Sequence, residues 1–168
     1  MIEVQQAIEK SQLEDVRYLM RAFVQWHRNR HGEDSDLIDR YFDAAEFEHE
    51  LLSLPGKYAP PAGSLLIAYD RTVPVGCVAM HDLGDGACEM KRMFVPEVGR
   101  GRGVGRRLAN KIIEDARTSG YRVMRLDTSK RQTDAMRLYE QLGFVRTIPY
   151  YPLTDELKDW LVFFELKL

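Results

Sequence analysis

The stretch Arg100-Gly101-Arg102-Gly103-Val104-Gly105 follows an extended apolar segment, Met93-Phe94-Val95-Pro96. It precedes Leu108, Ala109, Ile112, Ile113 and Ala116, which recur at helical spacing. A glycine-dense turn entering a helix N-terminus leaves several backbone N–H groups unpaired at the positive end of the helix dipole. Such a turn binds phosphate, and guanidinium groups match phosphate oxygens. Two familiar phosphate loops are excluded by the letters. A P-loop needs Gly-Lys-Ser/Thr at its end, but Gly105 is followed by Arg106, Arg107 and Leu108. A dinucleotide G-x-G-x-x-G starting at Gly101 and Gly103 would place Arg106 at the third glycine, where a close helix–strand approach is needed.

The pattern that fits is Arg100-x-x-Gly103-x-Gly105 after a strand ending Met93-Phe94-Val95. Downstream, Leu138-Tyr139-Glu140-Gln141-Leu142-Gly143-Phe144 matches L-Y-x-x-x-G-F. With these two motifs at this separation, the chain resembles the GNAT N-acetyltransferase superfamily from about Glu89 to Phe144, and elsewhere in the order of its elements. The resemblance implies an acetyl-coenzyme A-dependent acyltransferase that moves the acetyl group directly to a primary amine in a ternary complex. Coenzyme A then explains a charge asymmetry. Residues 91–131 hold 12 of the 24 lysines and arginines and four acids, a balance of +8 in a chain of net charge −2. A basic segment can also mark nucleic acid, but no aromatic series is interleaved with these cations, so no nucleic-acid partner is expected.

At 168 residues, with 45% apolar and 30% charged residues, the chain is sized for one globular domain spanning 1–168. No apolar run is long enough for a membrane and no signal-peptide pattern opens the chain. Cys77 and Cys88 lack metal-type spacing, so free buried thiols and a cytoplasmic location are expected. Strands are expected at Ile2–Ala7, Ser64–Tyr69, Val75–Met80, Cys88–Val95, Arg122–Thr128, Phe144–Tyr150 and Trp160–Leu168. Helices are expected from near residue 12 toward His31 behind a Ser11-x-x-Glu14 capping box, through Asp36–Leu51, from Val104 to a stop at Gly120, and through Ala135–Leu142. The order β-α-α-β-β-β-α-β-α-β-β is that of the GNAT fold, an α/β domain with a mixed, splayed central sheet flanked by helices.

By resemblance, the backbone from Gly101 to Arg106, with Arg100, Arg102, Gly103, Val104 and Gly105 between or beside, grips the cofactor pyrophosphate. The exposed edge at Met93, Phe94 and Val95 pairs with the pantetheine arm, and one N–H, that of Val95, faces the thioester oxygen. Gln132 occupies the position of a cofactor-contacting asparagine in many members. Tyr139 matches the family's general acid; periodicity alone would make it a core aromatic. For the general base, Glu89 lies six residues before Val95, a spacing that puts both side chains on one strand face. It corresponds to the glutamate of the histone-acetyltransferase branch and is favoured over Asp127 on the following strand. A third route needs no side chain, with ordered waters taking the proton. Structural alternatives are ion pairs of Glu89 with Lys91 or Arg92, and of Asp127 with Arg125.

The acceptor site of the superfamily is lined by the first two helices and the last hairpin. Here these carry Trp26, His27, His31 and Tyr150-Tyr151-Pro152, and residues 33–50 hold eight acids against one arginine. A negative surround attracts a cationic amine, or is a solvated face. His27 and His31 are four apart, as metal ligands on a helix can be, but no third ligand is evident and no metal is expected. A compact chain favours a small or amino-acid-like amine over a protein acceptor, in a monomer or homodimer. A protein or peptide acetyltransferase, and a coenzyme A-binding regulatory module without transfer activity, are the alternatives.

Overall fold

The computed structural model describes residues 1–168. Seven strands form one sheet in the order β1-β2-β3-β4-β5-β7-β6, comprising β1 (Ile2–Gln6), β2 (Ser64–Asp70), β3 (Val73–Gly84), β4 (Ala87–Phe94), β5 (Val123–Ser129), β6 (Val145–Thr147) and β7 (Leu161–Lys167). The β4–β5 pair alone is parallel. Leu65 and Ile67 of β2 face one core while Leu66 and Ala68 face the other, so both sides of the sheet are covered. That is why the strand reads as a continuous apolar run.

The front layer holds α1 (Lys10–Arg30), α2 (Ser35–Tyr41), α3 (Ala44–Leu52) and α6 (Asp155–Trp160). The back layer holds α4 (Val104–Thr118) and α5 (Thr133–Gln141). The 3.6-residue period of α4 buries Leu108, Ala109, Ile112, Ile113 and Ala116 against the sheet. Each large side chain among them contributes about 1.5–3 kcal/mol on burial. The helix ends in a Schellman motif: Tyr121 N–H donates to Ala116 C=O and Gly120 N–H to Arg117 C=O, with Gly120 at φ +85°.

Several expected elements are corrected. Helix α1 begins at Lys10 because the capping box is Glu9 with Gln12, whose side chain accepts from the N–H groups of Ile8 and Glu9; Ser11 lies inside the helix. The single helix expected over 36–51 is two, broken at Phe42-Asp43. There Asp43 accepts the Glu46 N–H as a new N-cap, while Phe42 turns inward between Phe23 and Phe47. The apolar spacing is continuous across this break, so the period does not reveal it. Strand β6 is three residues long and not seven, and α6, capped by Thr154, forms where only a loop is expected.

Two irregularities in β4 shape the site. Parallel pairing with β5 stops after Glu89 and Arg125, although both strands continue, so the sheet opens between Met90–Phe94 and Leu126–Ser129. On its other edge β4 pairs Lys91 with Ala79 but Phe94 with Cys77, and Arg92 sits at φ +60°. This β-bulge resets the alternation of side chains. Lys91 and Arg92 both face forward, toward the rings of Tyr41 and Phe42 respectively. Glu89 faces the front while Val95 packs against the back core, so the shared face expected from their spacing is not found. The left-handed backbone of Arg92 costs on the order of 1–3 kcal/mol. Its guanidinium offsets that cost by gripping Glu50 at 2.9 Å and covering the rings of Phe42 and Phe47.

Candidate active site

A groove of about 440 Å³ runs from the glycine turn to the mouth of the opened sheet. Gly101 and Gly103 have φ of +72° and +76°, and Gly103 caps α4. The N–H groups of all residues from Gly101 to Arg106 find no acceptor in the protein. A row of free amides at a helix N-terminus is an anion cradle, and here the backbone forms it. The arginines do less than the sequence suggests. Arg102 turns away from the groove to pair with Asp70 at 2.6 Å, and Arg106 is bonded to Gln141. Arg100 folds back over the Trp26 ring and donates to the Val95 carbonyl at 3.0 Å.

Met93, Phe94, Val95, Arg100, Gly101, Gly103, Val104, Gly105, Arg106 and Gln132 all line this groove, and Arg102 does not. The Val95 N–H has no acceptor. Gln132 sits just before α5, where its amide nitrogen donates to Nε2 of His27 at 2.8 Å. Burial, reinforced by His31, pulls the His27 imidazole down to about 4, so it is neutral at physiological pH.

Inside the opening lies a cavity of about 50 Å³ between Met90–Met93 and Leu126–Ser129, closed by His27, Tyr41 and Tyr139. Space of this size holds water or part of a slender ligand. Two buried polar atoms from its lining residues, His27 Nδ1 and Ser129 Oγ, have no partner. Tyr139 stands on α5 with its ring against Phe144 and Phe164. Burial and the nearby Asp127 charge raise its phenol above the ordinary value, so it stays protonated.

The two candidate bases occupy different environments. Asp127 lines the cavity with Tyr139 and accepts the hydroxyls of Tyr41 and Tyr151. Burial raises its carboxyl against the opposing pull of Lys91 and the two tyrosines. Arg125, the alternative partner expected from sequence, pairs instead with Glu165. Glu89 does not line the cavity. It accepts from His81 Nε2 at 2.8 Å and from Tyr150, with Lys91 Nζ 3.6 Å away. Burial alone would push its carboxyl up, but those partners outweigh it and hold it at about 2. His81 and Tyr41 carry no motif. Their signal becomes visible only when β3, β4 and α2 converge.

The acidic stretch 33–50 is largely spent on ion pairs: Glu33 and Asp34 with Arg131, Asp39 with Arg28, Glu48 with Arg21 and Glu50 with Arg92. The negative surround expected from the sequence is therefore mostly neutralised.

Comparison with known proteins agrees with this geometry. The family model described as acetyltransferase (GNAT) family matches residues 19–144. An uncharacterized N-acetyltransferase of Schizosaccharomyces pombe is 42% identical over 106 residues, covering 62% of this chain and 65% of its own length, just under two thirds. The IAA acetyltransferase of Azospirillum brasilense is 37% identical over 119 residues, covering 68% of this chain and 76% of its own. The solved PaiA N-acetyltransferase of Thermoplasma acidophilum, in complex with coenzyme A, has a TM-score of 0.73 at 15% identity, covering 100% of this chain and 99% of its own. With three quarters of its length matched by the family model and the fold shared end to end, this chain belongs to the GNAT acetyltransferase family.

Proposed function

We propose that the chain transfers the acetyl group of acetyl-coenzyme A to the primary amine of a small acceptor, directly and without an acyl-enzyme. One observation carries this reading: a row of free amides opens into a split sheet whose inner end holds Tyr139 and Asp127. The residues present fit the cosubstrate. Free N–H groups from Gly101 to Arg106 suit a diphosphate, the unpaired edge of β4 suits an extended arm, and the orphaned Ser129 Oγ and His27 Nδ1 suit its amides.

In the transfer, the amine nitrogen bonds to the acetyl carbonyl carbon and the carbon–sulfur bond breaks. The Val95 N–H is free to stabilise charge on the carbonyl oxygen. Asp127 takes the proton the amine gives up; its two oxygens have acceptor capacity beyond the two tyrosine hydroxyls. Tyr139 supplies the proton to the departing sulfur. Glu89, locked by its donors and held at about 2, orders the wall behind. This assignment reverses the preference drawn from sequence, because His81 and Tyr150 occupy the two Glu89 oxygens while Asp127 lines the cavity beside Tyr139.

The test has two parts. Acetyl-coenzyme A is expected to raise the melting temperature by mass action. A panel of amines is then screened for released thiol, where Tyr139→Phe is expected to lower kcat on the order of a hundredfold or more. Binding without turnover on any amine would leave the coenzyme A-binding module as the better account. Wild-type turnover by Tyr139→Phe would remove the proposed donor.

A further inference from the structure

A second cavity, of about 450 Å³, lies between the α2–α3 break and the front face of β4. Tyr41, Phe42, Lys91 and Arg92 line both it and the inner cavity, so they form the wall where the two meet. Resting on the transfer reading above, we propose that this is the acceptor pocket and that the acceptor is a small amine bearing a carboxylate, an α-amino acid or a compound of that kind. Lys57 and Lys91 bind the carboxylate, and the amine points past Tyr41 toward Asp127.

The bulge in β4 places Lys91 and Arg92 side by side on one face. Arg92 is committed to Glu50 through a two-point contact, Nε at 2.9 Å and Nη2 at 3.3 Å. The two lysines are not. Lys91 Nζ stands 3.6 Å from Glu89, and Lys57 Nζ stands 3.6 Å from Glu50, both beyond hydrogen-bond distance. Each ammonium lies over a tyrosine ring, Tyr41 at 5.7 Å and Tyr58 at 5.3 Å. The Lys91 side chain is only 18% exposed. An ammonium set this far inside, held to Glu89 at ion-pair range but with no hydrogen bond, keeps its donors free for a second anion.

The charge of the pocket changes sign with depth. Asp43 and Glu46 are exposed at its rim, Lys57, Lys91 and Arg92 outweigh Glu50 along the wall, and Asp127 lies beyond Tyr41. A polyamine would meet like charge on that wall. A molecule with a carboxylate a few atoms from its amine matches the sequence of charges.

The experiment compares matched acceptors with the full-length protein: free amino acids, their carboxamides and the corresponding decarboxylated amines, each at saturating acetyl-coenzyme A. The free acids are expected to be preferred in kcat/KM on the order of a hundredfold. Lys57→Ala and Lys91→Met are expected to raise KM for the acids at least about tenfold and flatten that preference, with the KM for acetyl-coenzyme A unchanged. Equal or better use of carboxamides or decarboxylated amines overturns the acceptor assignment and leaves the transfer reading standing. Binding of acetyl-coenzyme A with no turnover across the set overturns both.

Discussion

Replacing Glu89 with Gln separates a scaffold role from a catalytic one. The Glu89 side chain is 6% exposed and takes hydrogen bonds from His81 and Tyr150 beside the Lys91 charge. A carboxyl held at about 2, where its ordinary value is 4.5, corresponds to about 3 kcal/mol of native-state stabilisation. Because the folded value is the lower one, that stabilisation is complete at neutral pH. It begins to fade near the ordinary carboxyl value and is lost as pH falls through the folded one. Gln fills the same space but carries no charge, and its NH2 faces groups that are themselves donors. Urea denaturation at pH 7 is expected to show a loss of about 3 kcal/mol, a fall in Tm of roughly 6–12 °C for a chain of this size. The gap between the two proteins should narrow as the pH is lowered toward 3. A gap of the same size at both pH values would refute the charge-network reasoning. Activity of the folded variant gives the second reading: a scaffold residue leaves kcat within about tenfold, whereas a general base costs about 10²–10⁴-fold. A loss in the latter range would return the base role to Glu89 and take it from Asp127.

Asp127→Asn is expected to lower kcat on the order of a hundredfold or more while leaving the fold intact, since a carboxyl raised by burial gains little from its charge at neutral pH. A variant that turns over at the wild-type rate would show that Asp127 is not the base. The raised Asp127 carboxyl also implies that its contribution to stability grows as pH falls, opposite in sign to that of Glu89, and the Asn variant should lose that component in acid titration. Gly103→Ala places a side chain at φ +76°, where a Cβ meets no atom within 4 Å, so the penalty is backbone strain of about 1 kcal/mol or more. The same change should weaken acetyl-coenzyme A binding by calorimetry and leave the acceptor KM unchanged; unaltered cofactor affinity would argue against the amide row as the phosphate cradle.

Much of the architecture was legible in the sequence because its signals are local. Helix α4 announces itself by period, Gly120 by its place past the last apolar residue, and the glycine turn by where it falls between strand and helix. The break between α2 and α3 was not legible, because Leu37, Tyr41, Ala44, Phe47 and Leu51 keep one spacing across it while a buried Phe42 and the Asp43 cap override the period. The short α6 is illegible for a similar reason: six residues carry too little period, and its Trp160 is held by a bond from Nε1 to Asp34, 126 residues away in the chain.

By itself the sequence determined the family and marked the glycine turn and Tyr139 as the proposed cofactor loop and proton donor, since each is written in consecutive or fixed-spacing residues. Only the tertiary structure decided which carboxylate faces the opening and which cations remain unspent. A single extra residue in β4 reverses the side-chain alternation that spacing assumes, and the partners that occupy Glu89, Asp127 and Arg92 arrive from strands and helices up to 86 residues away. The Arg100–Gly105 turn takes its proposed phosphate-binding role from its own backbone; Asp127 and Lys91 acquire their proposed roles from what surrounds them.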